Sequence, residues 1–224
     1  MRAKLKATVF TLVYLAALSA ALFVSAGTAA WFFGWACIVV LLLVSLVVVL
    51  GVSAELIEER SSLREGIDVR DAVLAMVSYV FLCPVALVVA GLDAKRFGWS
   101  PGMPFGVQLA ALAVIAAGYA FACWAMLVNR FFSTFVRIQE ERGHAVVSSG
   151  PYGYVRHPGY AGWMLACLAM PVALGSPLAL APVLLGGVGF IVRTALEDRF
   201  LMRSLPGYAE YAERVRYRLL PGVW

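Results

Sequence analysis

Between Gly150 and Gly162 the chain reads Gly-Pro-Tyr-Gly-Tyr-Val-Arg-His-Pro-Gly-Tyr-Ala-Gly. Turn-forming residues, aromatic rings, an arginine and a histidine crowd together here, between segments that are almost wholly apolar. Aromatic faces attract cations, and a guanidinium grips a carboxylate or phosphate through two parallel hydrogen bonds. Such residues can build a pocket for a ligand that carries both charge and flat rings. A second cluster, Arg193, Glu197, Asp198 and Arg199, continues to Tyr208 and Tyr211. Arg193 and Glu197 are four apart and share a face if they lie on one helix.

The elements that must position these residues are membrane helices. Of the 224 residues, 62% are hydrophobic and only 14% charged, and mean hydropathy is +0.87. Soluble domains are nearer half apolar and a quarter charged. Apolar runs of about 20 residues match the hydrocarbon slab of a bilayer. The net charge of +5 is not a nucleic-acid signal, because the basic residues sit between apolar spans. Cys37, Cys83, Cys123 and Cys167 each lie inside an apolar segment with no Cys-x-x-Cys pair. They read as packing residues rather than as a zinc site or a disulfide framework.

Taken in order, Arg2, Lys4 and Lys6 precede an apolar run, Ala7 to Ala26, read as a retained first transmembrane helix rather than a cleaved signal sequence. Spans follow at Trp31–Val52, Ala72–Leu92 with a kink at Pro84, and Phe105–Val128. The polar stretch Ser53–Asp71 reads as a solvated connector, with a rim for substrate entry as the alternative. Asp93–Pro104 reads as a loop. After the polar stretch Asn129–Pro158 come two shorter apolar segments, Gly159–Leu174 and Leu178–Val192, joined at Gly175-Ser176-Pro177. The tail repeats apolar and aromatic residues at three- and four-residue intervals from Leu201 to Val215, the pattern of a surface helix broken near Pro206-Gly207.

The expected fold is therefore all-α, a multi-pass transmembrane bundle of about six spans that includes a short C-terminal hairpin, followed by a C-terminal surface helix. Charge tests this topology. With the N-terminus inside, 16 of the 18 basic residues fall on one side and only Lys95 and Arg96 on the other. The positive-inside rule then puts both termini and the Gly150–Gly162 segment in the cytoplasm, with a prokaryotic plasma membrane as the expected location. A tight hairpin also returns the chain to its starting side, so Arg156-His157 and Arg193-Glu197 become neighbours.

Each feature also has a plainer reading. Arg156 and Arg193 can snorkel to lipid phosphates, and His157 before a proline can cap a helix. His144 and His157 lack metal-ligand spacing, so no metal is expected. Gly186-Gly187-Val188-Gly189 lacks the strand–turn–helix setting of a dinucleotide fingerprint, and no Gly-x-Ser-x-Gly or Walker sequence is present. From the residues alone, the outcome is a polar pocket at the cytoplasmic membrane face.

The spaced set of motifs says more. His144-Ala-Val-Val147, Gly150-Pro-Tyr152 and Arg156-His-Pro-Gly-Tyr160 with Gly162 are followed by Arg193, Glu197, Gly207-Tyr-Ala-Glu-Tyr211, Val215 and Pro221. In that order they resemble the isoprenylcysteine carboxyl methyltransferase family, whose wider group includes membrane phospholipid and thiol methyltransferases. The likeness covers about residues 129–224. Beside the N-terminal part, 1–128, whose four spans are read from the apolar runs, it implies a catalytic core, 129–224, with cofactor-binding loop, hairpin and surface helix.

What the resemblance implies is methyl transfer from S-adenosylmethionine, leaving S-adenosylhomocysteine, without a Rossmann domain. By residue, the cofactor pocket falls to His144, Ala145, Val146 and Val147, to Tyr152, and to His157, Pro158, Gly159 and Tyr160. Glu197 would contact the cofactor and Arg193 the substrate, and these two are the catalytic pair. Arg137 occupies a further cofactor-contacting position. The family often carries paired glutamates where this chain has Glu197-Asp198, and no contact is assigned to the shorter Asp198. The implied partners are the lipid bilayer and a hydrophobic or lipid-linked acceptor, a prenylcysteine-type carboxylate being favoured over a phospholipid amine or a thiol. Two other classes stay open: an NADPH-dependent reductase of sterol-like lipids, and a non-catalytic membrane scaffold.

Overall fold

The computed structural model describes residues 2–61 and 69–224, so Arg64, Glu65 and Asp68 of the polar connector lie outside the described residues. Regular structure in the described residues is helical throughout. Helix α1 (Arg2–Ala26) is followed by α2 (Phe32–Gly51) and a short α3 (Ala54–Ser61). Helix α4 (Val69–Val80), a π-helical turn (Phe81–Val85), α5 (Ala86–Gly91) and a second π turn (Leu92–Phe97) form one continuous rod. Then come α6 (Phe105–Val128), α7 (Pro158–Ala173), α8 (Leu180–Ser204) and α9 (Tyr208–Arg214).

Among the described residues, five segments are long and apolar enough to cross a membrane: Lys4–Ala26, Phe32–Gly51, Val69–Phe97, Phe105–Val128 and Pro177–Ser204. The protein is thus an all-helical, multi-pass membrane protein. Helix α7, with 16 residues, rises only about 24 Å and is the short member of the hairpin.

Three sequence expectations need correction. The second hairpin helix does not stop at Val192 but runs to Ser204. Its polar residues find partners inside the protein, so charge does not end the helix: Arg193 meets Asp71, Thr194 bonds the Phe190 carbonyl, and Asp198 meets Arg156. The third span does not end at Leu92 but at Phe97, with Gly98 in the left-handed region at φ 62° closing it. Asp93 tolerates full burial there by accepting from Ser100 N at 2.8 Å and Ser176 Oγ at 2.6 Å. The connector after α2 is not simply solvated, since Leu56, Ile57 and Glu59 of α3 are buried. The kink at Pro84 takes the form of the first π turn, which accommodates a residue without an N–H.

Helices α6 and α7 form the closest pair. A Cβ at Gly162 would lie 2.5 Å from the Gly118 carbonyl oxygen, and one at Gly118 would lie 2.7 Å from the Gly162 carbonyl oxygen. Two glycines facing each other let the backbones touch, as small residues do between membrane helices. Pro158 opens α7 at its first position, where its fixed φ suits a helix start and the missing N–H is not needed. Helix α8 ends at Leu205, and Gly207 at φ 80° turns the chain into α9. The final segment folds back so that Arg156 N donates to the Tyr217 carbonyl and His157 N to the Arg218 carbonyl, each at 2.9 Å.

Candidate functional site

The loop from Asn129 to His157 folds over the end of α6, and its polar groups hold it in shape. Asn129 accepts from Phe131 N at 2.9 Å and donates to the Tyr152 hydroxyl at 3.1 Å. Gln139, fully buried, donates to the Phe131 carbonyl at 2.9 Å. Between this loop, the start of α7 and the last turns of α8 and α9 lies one cavity. Its walls include Arg137, His144, Ala145, Val146, Val147, Tyr152, His157, Gly159, Tyr160 and Glu197. All of these were expected from the sequence.

Two expected residues stand elsewhere. Pro158 starts α7 without lining the cavity, and Arg193 lies one bond further back. Arg193 is buried and pairs with Asp71 through Nε at 2.9 Å, while its terminal nitrogens reach the Thr134 carbonyl and the Tyr160 hydroxyl, each at 2.8 Å. Tyr160 in turn donates to Glu197 Oε2 at 2.7 Å. The phenol therefore joins arginine to glutamate at the cavity wall.

A second buried network adjoins the cavity through Arg156, His157 and Tyr208. Arg156 makes a two-pronged pair with Asp198, at 2.8 and 2.9 Å, and also donates to the carbonyls of Val215 and Arg216. Tyr208 donates to Asp198 at 2.9 Å, Arg218 donates at 2.8 Å, and His157 Nε2 lies 3.4 Å away. The His157 ring stacks parallel to that of Tyr160, with centroids 5.7 Å apart. Asp198, which the sequence reading left without a contact, thus gathers the C-terminal segment onto the site. Asp71 and Glu59 were also missed. Each lies among other charges of the connector, and nothing in its local spacing singles it out.

Local electrostatics follow from these contacts. Hydrogen bonds donated to the Glu59 and Glu141 carboxylates hold the Arg137 guanidinium well above its ordinary pKa. Burial, then the nearby Arg137 and Arg142 cations, pull His144 below its ordinary value of 6.5, while Glu141 opposes them. His144 Nδ1 accepts from Gln139 N, which leaves the proton of the neutral ring on Nε2. Burial raises the Tyr152 and Tyr211 hydroxyls. Burial and the Asp198 charge do the same for Tyr208.

The donor set fits S-adenosylmethionine, a ligand with a sulfonium, an amino-acid end and an adenine. Glu197 offers a carboxylate for an ammonium, and the rings of Tyr152 and Tyr160 offer faces for a cation or a base. Ala145 to Val147 run without regular structure along the wall. Among the described residues their backbone groups have no partner in the protein, so they can pair with ligand heteroatoms. The cavity arginines, by contrast, are already neutralised by Glu59, Glu141 and Asp198.

Residues 109–203 match the family model of the isoprenylcysteine carboxyl methyltransferase (ICMT) family. A probable protein-S-isoprenylcysteine O-methyltransferase of Oryza sativa subsp. indica is 30% identical over 112 residues, which cover 49% of this chain and 53% of the rice protein. The Delta(14)-sterol reductase erg24 of Schizosaccharomyces pombe is 32% identical over 90 residues, 39% of this chain and 21% of that protein. Among solved structures, a eukaryotic intramembrane Ras methyltransferase ICMT aligns over 96% of this chain and 86% of its own, at 19% identity and a TM-score of 0.48. The chain spans about half the length of the first curated relatives it matches.

Proposed function

We propose, from the premise that residues 109–203 carry the sequence pattern of the isoprenylcysteine carboxyl methyltransferase family, that this membrane protein is an S-adenosylmethionine-dependent methyltransferase. Its acceptor is hydrophobic or lipid-linked, and a prenylcysteine-type carboxylate fits best. The observation that carries this reading is the Arg193–Tyr160–Glu197 chain of hydrogen bonds, together with the Ala145 to Val147 backbone, which has no partner among the described residues. When bound, S-adenosylmethionine supplies a sulfonium methyl group, which a carboxylate oxygen takes up as a methyl ester while the sulfur departs as a thioether.

The protein's own residues bind and orient. Glu197, fixed by the Tyr160 hydroxyl, holds a ligand ammonium. Backbone groups from Ala145 to Val147, with His144 and Tyr152, hold the nucleoside end, and His157 and Gly159 complete the wall. Arg137, tied to Glu59 and Glu141, shapes the rim. Arg193 keeps Tyr160 and Glu197 in register on the acceptor side of the site. A carboxylate acceptor is ionised at pH 7 and needs no general base, so rate comes from alignment. The excess of basic residues on one side of the bundle supports a cytoplasmic site.

The reductase similarity supports a second reading, in which NADPH occupies the same cavity. A dinucleotide brings several phosphate charges, and the cavity arginines are already paired with carboxylates, which disfavours it. Calorimetric titration of detergent-purified protein with S-adenosylhomocysteine and, in parallel, NADPH separates the readings. Micromolar binding of the first, weakened by Glu197→Gln, is expected. Saturable NADPH binding alone moves the assignment to the reductase, and binding of neither by folded protein leaves a scaffold.

A further inference from the structure

Arg60 lies in the last turn of α3, in the half of the chain that carries no family motif. Its guanidinium lies 5.2 Å from the centroid of the Phe132 ring, and NH1 donates to the Phe132 carbonyl at 3.2 Å. Its own carbonyl accepts from Thr134 Oγ1 at 3.1 Å. A guanidinium has five N–H donors, and among the described residues only this one bond uses any of them. No described carboxylate lies within ion-pair distance of Arg60.

Arg193 presents the opposite case. Its Nε and NH2 bond Asp71, NH2 also bonds the Thr134 carbonyl, and NH1 bonds Tyr160. Its charge is neutralised and four of its five donors are engaged. Both arginines brace the same strip, Phe132 to Thr134, and Phe132 lines the cavity. Burial lowers the Arg60 pKa, the nearby Tyr160 opposes this, and the Arg193 cation lowers it further. The Arg60 guanidinium is thus a part-buried cation with no carboxylate partner among the described residues, packed on the Phe132 ring that lines the cavity. Such a group is relieved most by an anion with two oxygens.

We propose that Arg60 is the residue that recognises the anionic carboxylate of the methyl acceptor, with Arg193 serving as a positioning residue behind it. This inference rests on the methyltransferase reading above and names the acceptor-binding residue of that site. A lipid phosphate offers similar chemistry, but Arg60 packs on Phe132, a wall residue of the cavity, rather than on an exposed helix flank, which favours the acceptor.

The test uses the full-length protein in phosphatidylcholine nanodiscs saturated with S-adenosylhomocysteine. The probes are N-acetyl-S-farnesylcysteine and its neutral carboxamide, with binding read by intrinsic fluorescence. The unaltered protein is expected to prefer the acid by about tenfold or more, the value of a charge-assisted pair. Arg60→Gln is expected to remove that preference by weakening the acid alone, with S-adenosylhomocysteine affinity unchanged. Arg60→Lys, which keeps charge but loses the fork, is expected to fall between. If Arg60→Gln keeps the acid preference, Arg60 is not the recognition residue and the methyltransferase reading still stands. Equal loss of acid and amide would reduce Arg60 to a wall support and overturn the proposal. If the unaltered protein binds S-adenosylhomocysteine but shows no acid preference, the carboxylate acceptor fails and Arg60 with it. Should Arg60→Gln fail to bind S-adenosylhomocysteine, the lysine variant decides, full retention of preference counting against the proposal.

Discussion

Arg193 and Asp71 are separated by 122 positions in the sequence, yet Nε of the one lies 2.9 Å from Oδ1 of the other, and both are buried. Through this pair the N-terminal half of the chain takes part in the site. Removing one member of a buried pair leaves the other uncompensated, at a cost of about 3–5 kcal/mol. Asp71→Asn is therefore expected to lower the melting temperature in detergent clearly, and Asp71→Asn with Arg193→Met to recover part of the loss. A single variant that melts with the unaltered protein would show the pair to be energetically idle.

Tyr160→Phe removes one hydroxyl that serves both Arg193 and Glu197. Hydrogen bonds to charged groups are worth about 1.5–3 kcal/mol, so the Kd for S-adenosylhomocysteine should rise about tenfold or more. Glu197→Gln should act in the same direction. Because the two side chains work as a unit, the double variant should bind scarcely worse than the weaker single one. Calorimetry reads all three.

Asp198 receives Arg156, Tyr208 and Arg218 together. Asp198→Asn should therefore release the segment that follows α9 while leaving the membrane helices folded. Limited trypsin digestion checks this, with cleavage after Arg214, Arg216 and Arg218 expected to speed up about tenfold or more as local opening becomes cheaper.

His144 supplies the pH dependence. Its folded pKa lies below the ordinary 6.5, so folding favours the neutral ring. The stability it contributes is fully present above about pH 6.5 and is lost as pH falls through the lower folded value. Melting temperature should drop by a few degrees more between pH 7.5 and 5.5 in the unaltered protein than in His144→Gln. Equal slopes would remove His144 from the account.

Gly162→Leu should be the most damaging apolar change, since any side chain there meets the backbone of α6 rather than a flexible neighbour. Forcing α6 and α7 apart displaces the loop between them, which forms the cavity wall. Loss of folded monodisperse protein on size exclusion, or failure to bind S-adenosylhomocysteine, is expected. Gly102→Leu, which meets nothing within 4 Å, serves as the control.

The cavity wall was legible because it is local. His144 to Val147, Tyr152 and His157 to Tyr160 sit in one loop and one helix start, and Arg193 and Glu197 share a helix face, so spacing indicated a polar pocket and the family resemblance named its residues. The span Phe105–Val128 was readable to the residue because apolar side chains fill it and polar ones bound it. What stayed hidden depends on distant pairing. Helix α8 outruns its apolar run because Arg193 and Asp198 are satisfied by residues on other elements. The roles of Asp71, Glu59 and Arg60 are set by which strip of chain lies opposite them, which no local pattern encodes.

The rod from Val69 to Phe97 carries a buried carboxylate near each end, Asp71 tied to Arg193 and Asp93 tied to Ser176. The two lie roughly 33 Å apart along a helix, and the hairpin α7–α8 is thereby pinned at top and bottom to the same strut. Lengthwise slip of one against the other would break a buried contact at either end. A change in bilayer thickness must then be taken up by tilting the pair as a rigid frame or by flexing the π turn at Pro84. The spacing between Arg193, behind the cavity wall, and the far membrane face is accordingly a fixed gauge length, set by the protein rather than by the lipid around it.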